Sequence, residues 1–194
     1  MKKIIALFCF LVVSFAAFAQ NESEHMLFKG IPMDGTLSAF VQQLKSKGFT
    51  YHGTENGSAL LSGKFASRDC SVIVLPNSSN LVRRVGVIFP SHEKWATLAD
   101  EYFALKSMLT TKYGEPADCT EEFQTYQNQE DIDDGMKILY VGMDKCKYET
   151  FFLTPKGAVH LSIKNLSYDN QCVMLLYIDS QNETTTQNEV MDDL

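Results

Sequence analysis

Trp95, Leu98, Tyr102, Leu105 and Leu109 recur at steps of three, four, three and four residues, and Ala99 and Met108 widen the stripe. That spacing brings the apolar side chains to one face of an α-helix, so the segment must bury itself against something. The stripe spans too few turns for a coiled-coil seam, and a sheet is the surface it predicts. Ser91 stands where it can cap the start. At the other end, in "KYGEPADC", Tyr113 is placed as an anchor, Gly114 supplies a left-handed turn and Pro116 bars further helix. Cys119 then fixes the exit path.

The runs on either side supply the sheet. Upstream, "FKGIPMDGTLSAFVQQLKSKGF" puts Leu37, Phe40, Val41 and Leu44 on one helical face, with Asp34 or Thr36 to cap it and Gly48 to close it. Three β-type runs follow, Ala59–Phe65, Cys70–Leu75 and Leu81–Phe89, joined through "SRD" and "PNSSN". Val85, Val87 and Phe89 face one way and Arg84 the other, the alternation of a half-buried strand. After the long helix comes an acidic loop, Thr120–Gly135. Four more β-type runs are then predicted: Met136–Met143, Lys147–Thr154, Ala158–Lys164 and Cys172–Ile178, with "PKG" turning the chain before the third.

Helix then strands, twice, predicts an α+β fold of two tandem units, each a helix packed on an antiparallel β-sheet. "ALLSG" (59–63) matches "ILYVG" (138–142), and "VIVLP" (72–76) matches "FFLTP" (151–155) at the same offset of 79 residues. The expected units are 20–90 and 91–179. The stretch 20–26 reads as frayed, and the polar tail 180–194 has almost nothing to bury and reads as disordered.

Residues 1–19 read as a signal peptide: a basic Lys2-Lys3 start, an apolar Ile4 to Phe15, and small residues at Ala17 and Ala19 before Gln20. Cys9 follows Phe8, where a lipidation signal wants a small residue. A periplasmic or secreted bacterial protein is therefore expected, with no membrane insertion after cleavage because no later run is long and apolar enough. Losing Lys2 and Lys3 takes the basic residues from 17 to 15 against 24 acids, a net charge of −9. That sign disfavours nucleic-acid binding and docking on an anionic lipid surface. Four cysteines remain as disulfide candidates, Cys70, Cys119, Cys146 and Cys172, with three possible pairings. Cys119 with Cys146 would tie the segment after the helix to the next hairpin; Cys70 and Cys172 fit equally as buried thiols.

Signatures of chemistry are sparse. His25, His52, His92 and His160 form no ligand-spaced pair, so no metal is expected. Read as an EF-hand calcium loop, "QEDIDDG" (129–135) places Ile132 at a ligand position and fails; Asp131, Asp133 and Asp134 read as a solvated acidic loop, with an irregular calcium site the alternative. No nucleophile elbow, phosphate loop or dinucleotide fingerprint occurs, and neither an enzyme nor a cofactor is expected. A cysteine-dependent hydrolase would need a free cysteine beside His52, His92 or His160.

One strand gives a candidate surface. In Ala158–Lys164, Val159, Leu161 and Ile163 point to the helix, leaving His160, Ser162 and Lys164 on the opposite face. Tyr140, Tyr148 and Tyr177 lie in runs apolar on both sides; they join those residues if that face is open, and are ordinary core if a repeat covers it. The paired helix-plus-sheet layout, the export signal, the "KYGEP" helix stop and the scattered cysteines resemble the β-lactamase inhibitor protein fold and related small envelope proteins, including outer-membrane assembly lipoproteins. The chain departs from those lipoproteins in lacking a lipidated cysteine. The segment from Phe28 is also similar to uncharacterised exported Bacteroidetes proteins. The resemblance implies a concave sheet that binds another protein; the contact candidates, His160, Ser162, Lys164 and the tyrosines, come from the strand pattern. A small-ligand or cell-wall-component site in a cleft between the units is the alternative.

Overall fold

Residues 23–167 and 170–183 are described by a computed structural model; the expected signal peptide lies outside them. A short hairpin, β1 (Leu27–Phe28) and β2 (Ile31–Pro32), leads into α1 (Leu37–Ser46), β3 (Thr50–Glu55), β4 (Ser58–Phe65), β5 (Arg68–Pro76) and β6 (Val82–Ile88). Then come α2 (Trp95–Tyr113), β7 (Asp118–Phe123), a 3-10 turn at 129–131 and α3 (Asp134–Gly142). The chain continues through β8 (Cys146–Thr154), β9 (Gly157–Asn165) and β10 (Gln171–Asp179). The fold is α+β around one eight-stranded antiparallel sheet, ordered β3-β4-β5-β6-β10-β9-β8-β7. β6 and β10 meet at its centre.

The period of two along each strand sorts the sheet into a helix-covered side and a bare side. On the covered side, Leu61, Val72, Val87, Leu175, Leu161 and Thr150 form one cross-strand row. Ala59, Val74, Val85, Tyr177, Val159 and Phe152 form the next. Every member of both rows is buried. Each fully buried Leu or Val there stabilises by about 1.5–3 kcal/mol. The α2 stripe supplies the lid: Trp95, Leu98, Tyr102, Leu105 and Leu109 are all buried. Tyr102 Oη hydrogen-bonds Thr150 Oγ1 at 2.5 Å, satisfying a polar pair inside the core.

Thr36 caps α1 and accepts from Ala39 N. Gly114 takes φ 87° after α2 and its N–H donates to Thr110 O at 2.9 Å. Ser91, however, does not cap α2. The helix begins at Trp95 with Lys94 at its N-cap, because the preceding stretch is drawn to the sheet, where His92 N donates to Gln171 O at 2.8 Å.

Three further expectations change. Residues 136–142 are helical, not extended, and Met143 is the C-cap. Asp133 caps the turn by accepting from Met136 N at 2.9 Å. Helical spacing then buries Tyr140 and Val141 while Leu139 stays 51 % and Met143 52 % exposed, a pattern no strand would give. "ILYVG" therefore lies in α3 and "ALLSG" in β4, and "VIVLP" and "FFLTP" fall in the third and second strands of their runs, so the 79-residue match joins unlike elements. The segment 23–26 is not frayed: buried Asp179 accepts from Met26 N at 2.6 Å and from His25 Nδ1 at 3.0 Å. The tail is anchored through 183, where buried Asn182 donates to Met33 O and Val82 O, and Glu183 pairs with Arg83 and Arg84. Residues 184–194 lie outside the described chain.

Candidate functional site: the bare face of the sheet

On the side away from the helices, the register aligns Gly53, Leu60, Ile73, Gly86, Leu176, His160, Phe151 and Asp118 in one row across all eight strands. A second row runs Ser62, Ser71, Ile88, Met174, Ser162, Glu149 and Thr120. A third runs Leu75, Arg84, Ile178, Ala158 and Leu153. The middle of this face is thus aliphatic and aromatic. Its large side chains, Leu60, Ile73, Ile88, Met174, Leu176, Ile178 and Phe151, are all half-buried, and Leu153 is 66 % exposed. They lean on one another while one side of each meets solvent. Gly86 and Ser162 are buried because they are short residues among tall ones.

His160, Ser162 and Lys164 all belong to this face, as their alternation with Val159, Leu161 and Ile163 predicts. The imidazole of His160 stacks on Phe151 with ring centroids 4.0 Å apart and an interplanar angle of 8°. Its Nε2 lies 4.0 Å from Glu149 Oε2, beyond a hydrogen bond, and is buried without a hydrogen-bond partner. Burial lowers the His160 pKa from its ordinary value, against the pull of the Glu149 carboxylate. Lys164 Nζ donates to Glu149 Oε1 at 2.6 Å. For Glu149 burial acts upward, but the hydrogen bond and charge of Lys164 prevail and its pKa is lowered. Arg84 pairs with Glu183, and Lys64 with Asp69 at 2.8 Å. These charges compensate one another around an apolar centre.

The three tyrosines do not join this face. Tyr177 shares the covered row with Val159 and is buried against Phe28, 5.3 Å between centroids. Tyr148 packs edge-on to Trp95 at 5.0 Å, and Tyr140 lies in α3 beside Phe123 at 6.0 Å. Parity explains the first two: each is an odd step from the residues of the bare rows. The aromatic that does stand there is Phe151, with Met174, Leu176 and Ile178 beside it. Sequence reading passed over these four because β8 and β10 are apolar on both sides.

No disulfide joins the four described cysteines. In the β7–β8 ladder Cys119 faces Thr150 and Cys146 faces Phe123, so the favoured pairing would have to span four ladder steps, about 13 Å. Burial pushes the Cys146 thiol up to about 12 and that of Cys172 up to about 11. Cys119 is exposed and accepts from Lys106 Nζ at 3.1 Å. The hydrogen-bonding histidines have other partners: His25 meets Asp179, His52 meets Ser62, and His92 meets Glu101. Among the described residues no cluster of three or more metal-ligating side chains occurs, and no helix is long and apolar enough to cross a membrane. No protein-family model, curated protein or solved structure matches this chain.

Proposed function

We propose that this chain is an exported, non-enzymatic protein-binding module of two tandem helix-plus-sheet units, and that the bare sheet face docks an apolar segment of another protein. A helix followed by four successively paired antiparallel strands, met twice along the chain with α3 inserted between the first two strands of the second set, supports the two-unit reading. The observation that carries the docking reading is the row from Leu60 to Phe151: half-buried Leu60, Ile73, Leu176 and Phe151 spread over six adjacent strands with Gly86 and His160 between them, rimmed by charges that already have partners. A rigid sheet loses little entropy on binding, and the self-paired rim leaves apolar contact as the source of affinity. Phe151 stacked on His160 supplies the aromatic anchor such interfaces favour. The resemblance to the β-lactamase inhibitor fold leans the same way.

A photo-crosslinking residue at Leu153, on the bare face, tests this against the same probe at Leu139 on α3. Discrete adducts with another protein from position 153 alone, abolished by Leu176→Lys, are expected. Adducts of equal yield from both positions, adducts only with a second copy of the chain, or adducts indifferent to Leu176→Lys overturn the reading.

A further inference from the structure

A second site lies on the helix-covered side, and its case is independent of the docking face. A cavity of about 380 Å³ opens between α2 and the tips of two reverse turns, β1–β2 and β4–β5. Its walls are Leu105 and Leu109 from α2, Leu175 and Tyr177 from β10, and Phe65 from β4. That volume falls in the lower part of the range of about 300–1,000 Å³ found for small-molecule sites. The lip is also apolar: Met108 is 50 % and Leu27 41 % exposed. Leaving such side chains in water costs free energy that an aliphatic ligand would recover.

Apart from the Tyr177 phenol, the ionisable groups lining this cavity are Lys29 and Lys112, both cations. The chain carries 24 acids against 17 bases, and several other lysines on the sheet and α2 are matched with carboxylates, such as Lys64 with Asp69 and Lys106 with Glu121. Among the described residues neither Lys29 nor Lys112 has such a match. Lys29 Nζ donates to Lys64 O at 3.4 Å, and both ammonium groups stand near aromatic rings. Lys29 Nζ lies 5.9 Å from the ring centres of both Phe49 and Phe65, and Lys112 Nζ 4.7 Å from that of Tyr113.

Lys29 holds φ 54° and Ala66 φ 49°, left-handed conformations that a non-glycine residue adopts at a cost of about 1–2 kcal/mol. Both line the cavity. Each sits in a tight hairpin turn where Asn or Gly would relieve the strain. With Gly30 at φ 77° and Ser67 at φ 65°, these are the values that the central pair of a two-residue hairpin turn requires.

We infer that this cavity binds a single-chain anionic amphiphile, its aliphatic tail between α2 and β10 and its head group held by Lys29 and Lys112. Two lysine point charges suit a small carboxylate or phosphate head, and fatty acids and lysophospholipids are the two sources of that chemistry. Calorimetric titration of the full chain with dodecanoate and dodecyl phosphate, below their micelle concentrations, tests it, with dodecanol as the uncharged control. One-to-one binding at least about tenfold tighter for an anion than for dodecanol is expected. The better of the two anions assigns the source. The double variant Lys29→Gln, Lys112→Gln should reduce anion binding to the dodecanol level, and Met108→Trp should weaken all three ligands, with unchanged thermal melts showing that the variants fold. Equal affinity for dodecanol and the anions, indifference to the lysine substitutions, or no binding overturns the inference. Leu176→Lys on the opposite face is expected to leave this titration unchanged, which separates its failure from that of the docking face.

Discussion

Leu175 and Leu176 are neighbours in β10 whose side chains stand on opposite sides of the sheet. Leu175 is fully buried in the covered row with Val87 and Leu161, so Leu175→Ala removes its transfer free energy and leaves a cavity. The expected cost is about 3–5 kcal/mol. Leu176 is half-buried between Gly86 and His160 on the bare side. Truncating it forfeits about half the transfer term, about 1 kcal/mol, and water fills the space without a cavity term. With a urea slope of about 2 kcal/mol/M, the unfolding midpoint should fall by about 1.5–2.5 M for Leu175→Ala and by about 0.5 M for Leu176→Ala. Trp95 is the chain's single tryptophan and is buried against Phe123 and Tyr148, centroids 5.0 Å away in each case. Its fluorescence therefore reports global unfolding from a site away from both substitutions. Equal midpoint losses for the two variants would falsify the claim that one side of the sheet is bare, and with it the basis for a docking face.

Other consequences are as direct. Gly157 holds φ 153°, and a Cβ there would meet Ile178 O at 2.0 Å; Gly157→Ala should cost about 2 kcal/mol or more in a thermal melt, whereas Gly48→Ala, at φ 92° with open space around it, should cost about 1 kcal/mol. Asp179→Ala removes bonds from Met26 N, His25 Nδ1 and Asn182 N and should cost about 2–4 kcal/mol while hydrogen exchange at Met26 rises sharply; unchanged exchange there would refute the clamp. Of the four described cysteines, Cys119 alone is exposed, so an aromatic disulfide reagent should modify one of them fast in the native state, and Cys119→Ser should abolish that phase. Acidification should weaken the fold in two stages. The lowered pKa of His160 means that the unfolded chain takes its proton first, so stability falls as pH drops below about 6.5. Glu149, also lowered, contributes stability above its unfolded pKa that is lost as pH falls through its folded value. His160→Gln should flatten the first stage and leave the second, read from urea midpoints across pH.

What the sequence disclosed of this fold follows from how much apolar surface each element owns. α2 carries its stripe on one face only, and its partner surface and its stop at Tyr113-Gly114 could both be read directly. The inner strands β4, β5, β6, β9 and β10 have enough Val, Ile and Leu to be seen as strands. β3 and β7, "TYHGTE" and "DCTEEF", are the sheet edges. Edges gain from polar side chains that discourage further pairing, and that polarity hid them as loop. "MKILYV" erred for the converse reason. Its apolar density fits a strand or a helix, and the arbiter was the Asp133 cap, a single hydrogen bond that a hydrophobic pattern does not contain.

The bare face was hidden for a deeper reason. β9 alternates cleanly, and His160, Ser162 and Lys164 could be assigned to it by parity alone. β10, "QCVMLLYID", is apolar at nearly every position, and a strand buried on both sides reads the same way. Only the register decides between them. It sets Met174, Leu176 and Ile178 in line with Ile88, Gly86 and Arg84 on one side and with Ser162, His160 and Ala158 on the other, on the face away from the α2 stripe. A central strand with a continuous apolar sequence but a single covering layer keeps hydrophobic groups in water, against the usual economy of an antiparallel sheet. Such groups add nothing to the core beneath them. Their presence is accounted for if something else covers them, and the paired Leu175 and Leu176 truncations measure whether that cover belongs to this chain or has to come from another.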